Sequence, residues 1–418
     1  MNMRRFLLGL VALVVIVGAG TVALAWRPAM DPIDPAAVSP PDSARIAAGA
    51  RLALMGDCVV CHTRPDGKPY SGGAPLPTPF GTIYATNITP DPDTGIGRWS
   101  EAAFRRAMRE GVDRKGSHLY PAFPYDHFTR MTDEDIGAVY AFLMSREPVR
   151  QETPRNQLPF PLGFRPVLAG WKLLFLDTGP FRTVAGQSAE WNRGAYLAEA
   201  VAHCGACHTP RNRLGAEQRD KAYAGGSIEG WHAPALNRDA TAPVPWTADR
   251  VFAYLRGVDP QHGAAAGPMA PVTHNLARAD EADVRAIAAY IGSMAPPGRA
   301  PSAAAVPSAS GGAGNAIYAA ACASCHRGDG PIAARGVPLA LSSAVTGPDP
   351  RNLIHIVLDG IHPEVGEAGA IMPGFAAAMT DAQIAALATY LRSAFGGGPA
   401  WTDVEGTVRR IRQGKETS

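Results

Sequence analysis

The chain has 418 residues, and its 39 Lys and Arg against 37 Asp and Glu leave a formal charge of +2, too even a balance for a phosphate-backbone partner, so nucleic acid is excluded. At about 150 residues per domain the length argues for several domains. The 45 Gly and 38 Pro imply short helices between punctuated loops, while 46% hydrophobic content excludes wholesale disorder.

In chain order, Arg4 and Arg5 precede an uncharged run over 6–26 that is 21 residues long, enough for a helix across about 30 Å of hydrocarbon. Positive charge ahead of it keeps that end cytoplasmic and sends the rest outward. Ala23-Leu24-Ala25 also fits a signal cleavage site. Residues 1–27 are therefore an anchor or a signal, the length favouring the anchor.

Three similar units follow. The first, 40–147, opens with a helix over 43–57, continues with one from Trp99-Ser100 to Gly111, and closes with one over 132–144 whose apolar residues are Ile136, Val139, Phe142 and Leu143. A Pro-rich linker spans 148–187, yet Trp171 to Leu176 is too apolar to dangle and should pack on a domain, a partner or a membrane surface. The second unit, 188–295, repeats the pattern over 191–203, from Trp246-Thr247 to Gly257, and over 280–294. A Pro, Ala, Ser and Gly connector covers 296–312. The third unit, 313–396, has helices over 315–321, from Arg351-Asn352 to Gly360, and over 380–395; the tail 397–418 is expected to fray. Thr132, Asp280 and Thr380 are N-caps. Gly49, Gly194 and Gly314 let a second helix approach closely. The first two units also share Tyr70-Ser71-Gly72-Gly73 and Tyr223-Ala224-Gly225-Gly226.

All six cysteines fall in one pattern: Cys58-Val59-Val60-Cys61-His62, Cys204-Gly205-Ala206-Cys207-His208 and Cys322-Ala323-Ser324-Cys325-His326. C-x-x-C-H is the signature of covalent c-type haem attachment, in which two thiols add to the porphyrin vinyl groups and the following His reaches the iron. One helical turn sets both cysteines on one porphyrin edge. A zinc ribbon needs paired knuckles about 15 to 20 residues apart, whereas these pairs start 146 and 118 residues apart. A thioredoxin-type pair would explain one motif in a βαβ setting, not three in helical surroundings. The reading is three covalent haem c groups with His62, His208 and His326 on the irons.

An electron relay works best with both axial positions filled, and Met is the usual opposite ligand. Met372, in Met372-Pro373-Gly374, and Met269, in Pro268-Met269-Ala270-Pro271, are the expected ligands of the third and second sites. The first unit has Phe123 in Pro121-Ala122-Phe123-Pro124, and Phe cannot ligate iron. His127, His118 and Met131 are the alternatives, His127 being preferred and Met131 having the position of a packing residue. A five-coordinate first haem would instead open a route to ligand binding or peroxide chemistry.

With Pro79-Phe80-Gly81-Thr82-Ile83-Tyr84, Thr86-Asn87-Ile88-Thr89-Pro90-Asp91 and Leu119-Tyr120-Pro121-Ala122, the three units resemble the triheme cytochrome c subunit of bacterial membrane-bound dehydrogenases acting on alcohols, aldehydes, gluconate or nicotinate. The resemblance implies an all-α fold of three tandem class I cytochrome c domains after an N-terminal transmembrane segment. It further implies a periplasmic position on the inner membrane and a large catalytic dehydrogenase subunit as partner, with a small subunit. Electrons would pass to quinone or a terminal oxidase, with no substrate site on this chain. Many members have Pro-Ala-Met-Pro where Phe123 stands here, and many anchor through a C-terminal amphipathic segment, a role the N-terminal apolar run would take over. The readings set against it are a multihaem peroxidase with an open first haem and a free-standing carrier serving an oxidase; no paired carboxylates, phosphate loop or nucleophile motif supports an enzyme.

Overall fold

The computed structural model describes residues 25–35, 42–296, 312–327, 336–363 and 369–415, with residues 3, 18 and 20. Most of the apolar run 6–26 and nearly all of the 296–312 connector lie outside these. Among the described residues no helix is long and apolar enough to cross a membrane. The chain divides into two compact units, Met1–Arg182 and Thr183–Ser418.

The first unit contains α1 (Ser43–Met55), α2 (Glu101–Glu110), α3 (Tyr125–Phe128), α4 (Asp133–Met144) and α5 (Val167–Phe175). Ser100 and Thr132 cap α2 and α4, their hydroxyls accepting from the amides of Ala103 and Asp135. Helix α2 stops at Gly111, whose φ of 59° suits glycine. A Cβ on Gly49 would lie 1.9 Å from the Ala138 carbonyl oxygen, so α1 and α4 cross backbone to backbone there. Around that crossing Leu52, Ile136, Val139 and Leu143 are buried, each worth about 1.5–3 kcal/mol of hydrophobic burial.

The linker residues 148–182 are fastened to this unit. Asn87 Nδ2 donates to the Val149 carbonyl at 2.7 Å, Thr82 and Gln157 exchange backbone hydrogen bonds, and the Tyr84 amide donates to Asn156 Oδ1. The apolar patch forms α5, which buries Leu168, Ala169 and Lys172 and leaves Leu173 and Leu174 exposed. Lys172 Nζ donates to the Glu110 and Gly111 carbonyls at 2.7 and 2.5 Å.

The second unit contains α6 (Ala189–Tyr196), running into a π turn over Leu197–Val201, then α7 (Ala248–Leu255), α8 (Met269–Arg278), α9 (Glu281–Met294), α10 (Ala313–Ala321), α11 (Arg351–Asp359), α12 (Asp381–Leu391) and α13 (Val404–Arg412). The glycine crossing recurs twice, with Gly194 against the Ala286 carbonyl of α9 and Gly314 against the Ala386 carbonyl of α12. Thr380 forms a full capping box with Gln383.

The chain is helix-rich, as expected, and among the described residues it adds three small two-stranded antiparallel hairpins that the sequence did not show, β1 (Pro75–Thr78) with β2 (Gly81–Tyr84), β3 (Gly226–Ile228) with β4 (Trp231–Ala233), and β5 (Val258–Asp259) with β6 (Gly263–Ala264). Strands of two to four residues carry too little alternation to show in a sequence. The tail, expected to fray, does not do so over 397–415. Helix α13 buries Val404, Thr407 and Val408 against the third core, and Arg412 donates to the Ala376 and Met379 carbonyls. Arg392 extends this attachment, its guanidinium donating to the carbonyls of Val345, Thr346 and Pro399 and lying over the Trp401 ring. The signal was present as Val404, Val408 and Ile411 at helical spacing, hidden by the charged residues between them.

Candidate cofactor-attachment sites

Each C-x-x-C-H motif folds as a single helical turn, spanning Cys58–Cys61, Gly205–His208 and Ala323–His326. The His amide in each donates to the carbonyl of the first cysteine: His62 to Cys58, His208 to Cys204 and His326 to Cys322, at 3.0–3.1 Å. Both thiols of a motif thereby face one side, and all six are free of disulfides. Burial, then Asp57 and Cys61, pushes the Cys58 thiol up to about 12; burial, then Cys325, pushes Cys322 up to about 11.

The imidazoles share one arrangement. His62 Nδ1 meets the Thr86 carbonyl at 2.6 Å, His208 Nδ1 the Pro234 carbonyl at 2.8 Å, and His326 Nδ1 the Val337 carbonyl at 3.0 Å. A carbonyl only accepts, so Nδ1 carries the proton and Nε2 presents its lone pair, the tautomer that an Nε2 metal ligand requires. Burial lowers the pKa of His62 and His208, keeping both rings neutral. Donor set and tautomer fit covalent haem at all three motifs.

The shared tetrapeptides position the first two motifs. Tyr70 and Tyr223 adopt φ of 66° and 60°, and their amides donate to Thr63 Oγ1 and Thr209 Oγ1. Gly72 and Gly225 then donate to the carbonyls of His62 and His208 at 2.7 and 2.8 Å. Pro234 follows directly after β4 and Thr86 lies two residues beyond the end of β2, so the hairpins missed in the sequence deliver the carbonyls that orient the imidazoles. In the third motif, a Cβ on Gly336 would lie 2.3 Å from the Cys325 carbonyl oxygen.

The expected opposite ligands fall in varied places. Met372 is fixed by two backbone hydrogen bonds with Ile361, both 2.9 Å, and its side chain rests on the third core. Met269 is the first residue of α8, so it lies on a helical turn. His127 is buried within α3, and Met131 is buried just ahead of α4. Phe123 packs on Tyr125 and Phe128. His118 is held in a different network: its Nε2 meets the Ala25 carbonyl at 2.9 Å and its Nδ1 meets Lys172 Nζ at 3.0 Å. Both ring nitrogens are spent on partners that lie far away in sequence, which no local pattern reveals.

Comparison with known proteins agrees with this chemistry. The cytochrome c family model matches residues 46–147 and 192–295, and that of cytochrome c oxidase, cbb3-type, subunit III matches 309–391. Fold and motifs define a protein built from cytochrome c domains, which carry haem c with iron. The chain is 37% identical to the gluconate 2-dehydrogenase cytochrome c subunit of Pantoea cypripedii, covering 89% of this chain and 90% of that one. It is 36% identical to the fructose dehydrogenase cytochrome subunit of Gluconobacter japonicus, covering 88% and 83%. A nicotinate dehydrogenase subunit of Pseudomonas putida is 46% identical over 94% of this chain, which spans only 34% of that longer relative. The chain belongs to the cytochrome c subunits of dehydrogenases, electron-transfer components rather than catalytic subunits.

Proposed function

We propose that the chain is a three-haem electron relay made of three tandem class I cytochrome c domains. Cys58 and Cys61, Cys204 and Cys207, and Cys322 and Cys325 hold the porphyrins through thioethers, and His62, His208 and His326 bind the irons through Nε2. Met269 and Met372 would be the protein ligands that join His208 and His326 in holding the second and third irons, and His127 or Met131 would join His62 at the first. Electrons come from a large catalytic dehydrogenase subunit, accompanied by a small one, and leave to quinone or a terminal oxidase. The chain works on the periplasmic face of the inner membrane, tied there by the run over 6–26. The names of the relatives, dehydrogenases of nicotinate, fructose and gluconate, support this partner class.

The carrying observation is the imidazole-to-carbonyl hydrogen bond repeated at all three motifs. Bound haem supplies reversible one-electron iron chemistry. The protein holds each imidazole in one tautomer and one orientation, so its ligand strength stays constant as charge passes. The glycine crossings fix the helices around each motif, which keeps the sites rigid between redox states. The test is intact mass of the mature holoprotein: three haem additions that survive acidified acetone are expected, and two or fewer, or pigment that washes out, overturns the reading.

A further inference from the structure

The second and third motifs lie in one compact unit, and the contact between their domains is made by the chain that holds their axial groups. In β4, the Trp231 indole stacks on the His355 imidazole of α11, with centroids 4.5 Å apart and planes at 15°. Beside it, the His232 amide donates to Asn352 Oδ1 at 2.8 Å and Asn352 Nδ2 donates back to the His232 carbonyl at 2.7 Å. Arg351, paired with Asp349, reaches Ser227 Oγ at 2.9 Å. At a second point the Val337 side chain lies against Gly263, where a Cβ would stand 2.9 Å from Val337 Cγ2.

Each of these residues is a short step from an axial support. Strand β4 leads from Trp231 to Pro234, whose carbonyl accepts from His208. The Trp231 indole also meets Gly267, where a Cβ would stand 2.3 Å from the ring, two residues ahead of Met269. On the other side of the contact, the Val337 carbonyl accepts from His326. Helix α11 ends at Gly360, where a Cβ would come within 2.3 Å of the Met372 carbonyl oxygen, and Ile361 pairs with Met372. Hydrogen bonding to a ligating imidazole and the placing of its opposite ligand both tune an iron's potential. A shift of β4 moves the support of one site, a shift of α11 that of the other, and the Trp231–His355 stack joins the two.

We propose that Trp231 and His355, with the His232–Asn352 pair, are positioning residues that lock the second and third haem sites into one redox-coupled pair, whose potentials respond together to changes at this contact. This rests on the three-haem reading above. Neither residue is among the ligands proposed for the irons; each acts through the backbone carrying the ligands and their hydrogen-bond acceptors.

The test is a potentiometric titration of the full-chain holoprotein, each haem being resolved by magnetic circular dichroism and assigned through Met269→His and Met372→His, which alter one signature apiece. Trp231→Ala and His355→Ala should each change the reduced-to-oxidised ratio of both the second and third haems at fixed ambient potential by about threefold to tenfold, tenfold being about 59 mV for one electron, with the first haem unmoved. Trp231→Phe keeps a stacking ring and should stay near the unsubstituted values; Asn352→Ala provides a milder break should Trp231→Ala not fold. A shift confined to one of the two haems, or none at either, overturns the coupling. Haem content is read on the same samples: fewer than three in the unsubstituted protein overturns the three-haem basis itself, a result distinct from three haems with independent potentials.

Discussion

Replacing Gly194 with Ala puts a Cβ 1.8 Å from the Ala286 carbonyl oxygen. A relaxed contact needs about 3.2 Å, so α6 and α9 must part by roughly 1.4 Å, and because the obstacle is backbone no rotamer change relieves it. The crossing sits among Leu197, Ala198, Val284 and Ile287, all nearly inaccessible to solvent, so the parting loosens a packed core. Overpacking of this kind costs about 3 kcal/mol or slightly more, and the better helix propensity of Ala returns about 1 kcal/mol. The net destabilisation is about 2–3 kcal/mol, a fall in melting temperature of roughly 4–12 °C for a unit of this length. Thermal melts of the holoprotein by far-ultraviolet ellipticity read it directly. Gly170→Ala is the control: at an exposed position of α5, with nothing within 4 Å of its Cβ position, it should stabilise the protein by about 0.5–1 kcal/mol. A Gly194→Ala melt within about 1 °C of the unsubstituted protein would refute the claim that backbone contact sets this crossing.

Other substitutions probe the remaining supports. Arg392→Ala strips three carbonyls of their buried donor and should cost about 2–4 kcal/mol, with protease sensitivity appearing in the tail; an unchanged digestion pattern would show that α13 holds itself. Burial, aided by the charge of Arg27, lowers the Lys172 pKa to about 7, against about 10.4 in an unfolded chain. Between those values the unfolded state binds more protons, so stability should rise with pH from about 7 to 10, by at most about 1.4 kcal/mol per unit. Lys172→Met should flatten that slope in denaturant titrations. His118→Gln should leave the haem spectra unchanged while loosening residues 25–28, as read by hydrogen exchange; a change in the first haem's spectrum would place His118 in the ligand set. His127→Gln and Met131→Leu, compared by the far-red charge-transfer band of thioether-bound iron, should alter the first haem in only one of the two.

The candidate attachment motifs were legible without coordinates because they are local. Two cysteines and a histidine within five residues, repeated three times, fit one helical turn, and apolar spacing with Thr132 and Thr380 as caps placed the closing helices to within a residue at their starts. Gly49, Gly194 and Gly314 were readable as close approaches for the same reason, since removing a side chain leaves a mark in the sequence itself. The partner across each crossing was not readable, because it lies some 70 to 90 residues further along.

Only tertiary structure decided which carbonyl each imidazole meets, that both nitrogens of His118 are occupied, and that the tail returns to cover the third core. It also decided that the second and third motifs share a unit through Trp231 and His355. Hydrogen bonds and stacks between distant residues depend on where folding brings backbone atoms together, and backbone carbonyls are alike in every sequence. Covalent spacing and helical period are set by the chain alone, whereas a ligand's hydrogen-bond acceptor is chosen by the packing of the whole.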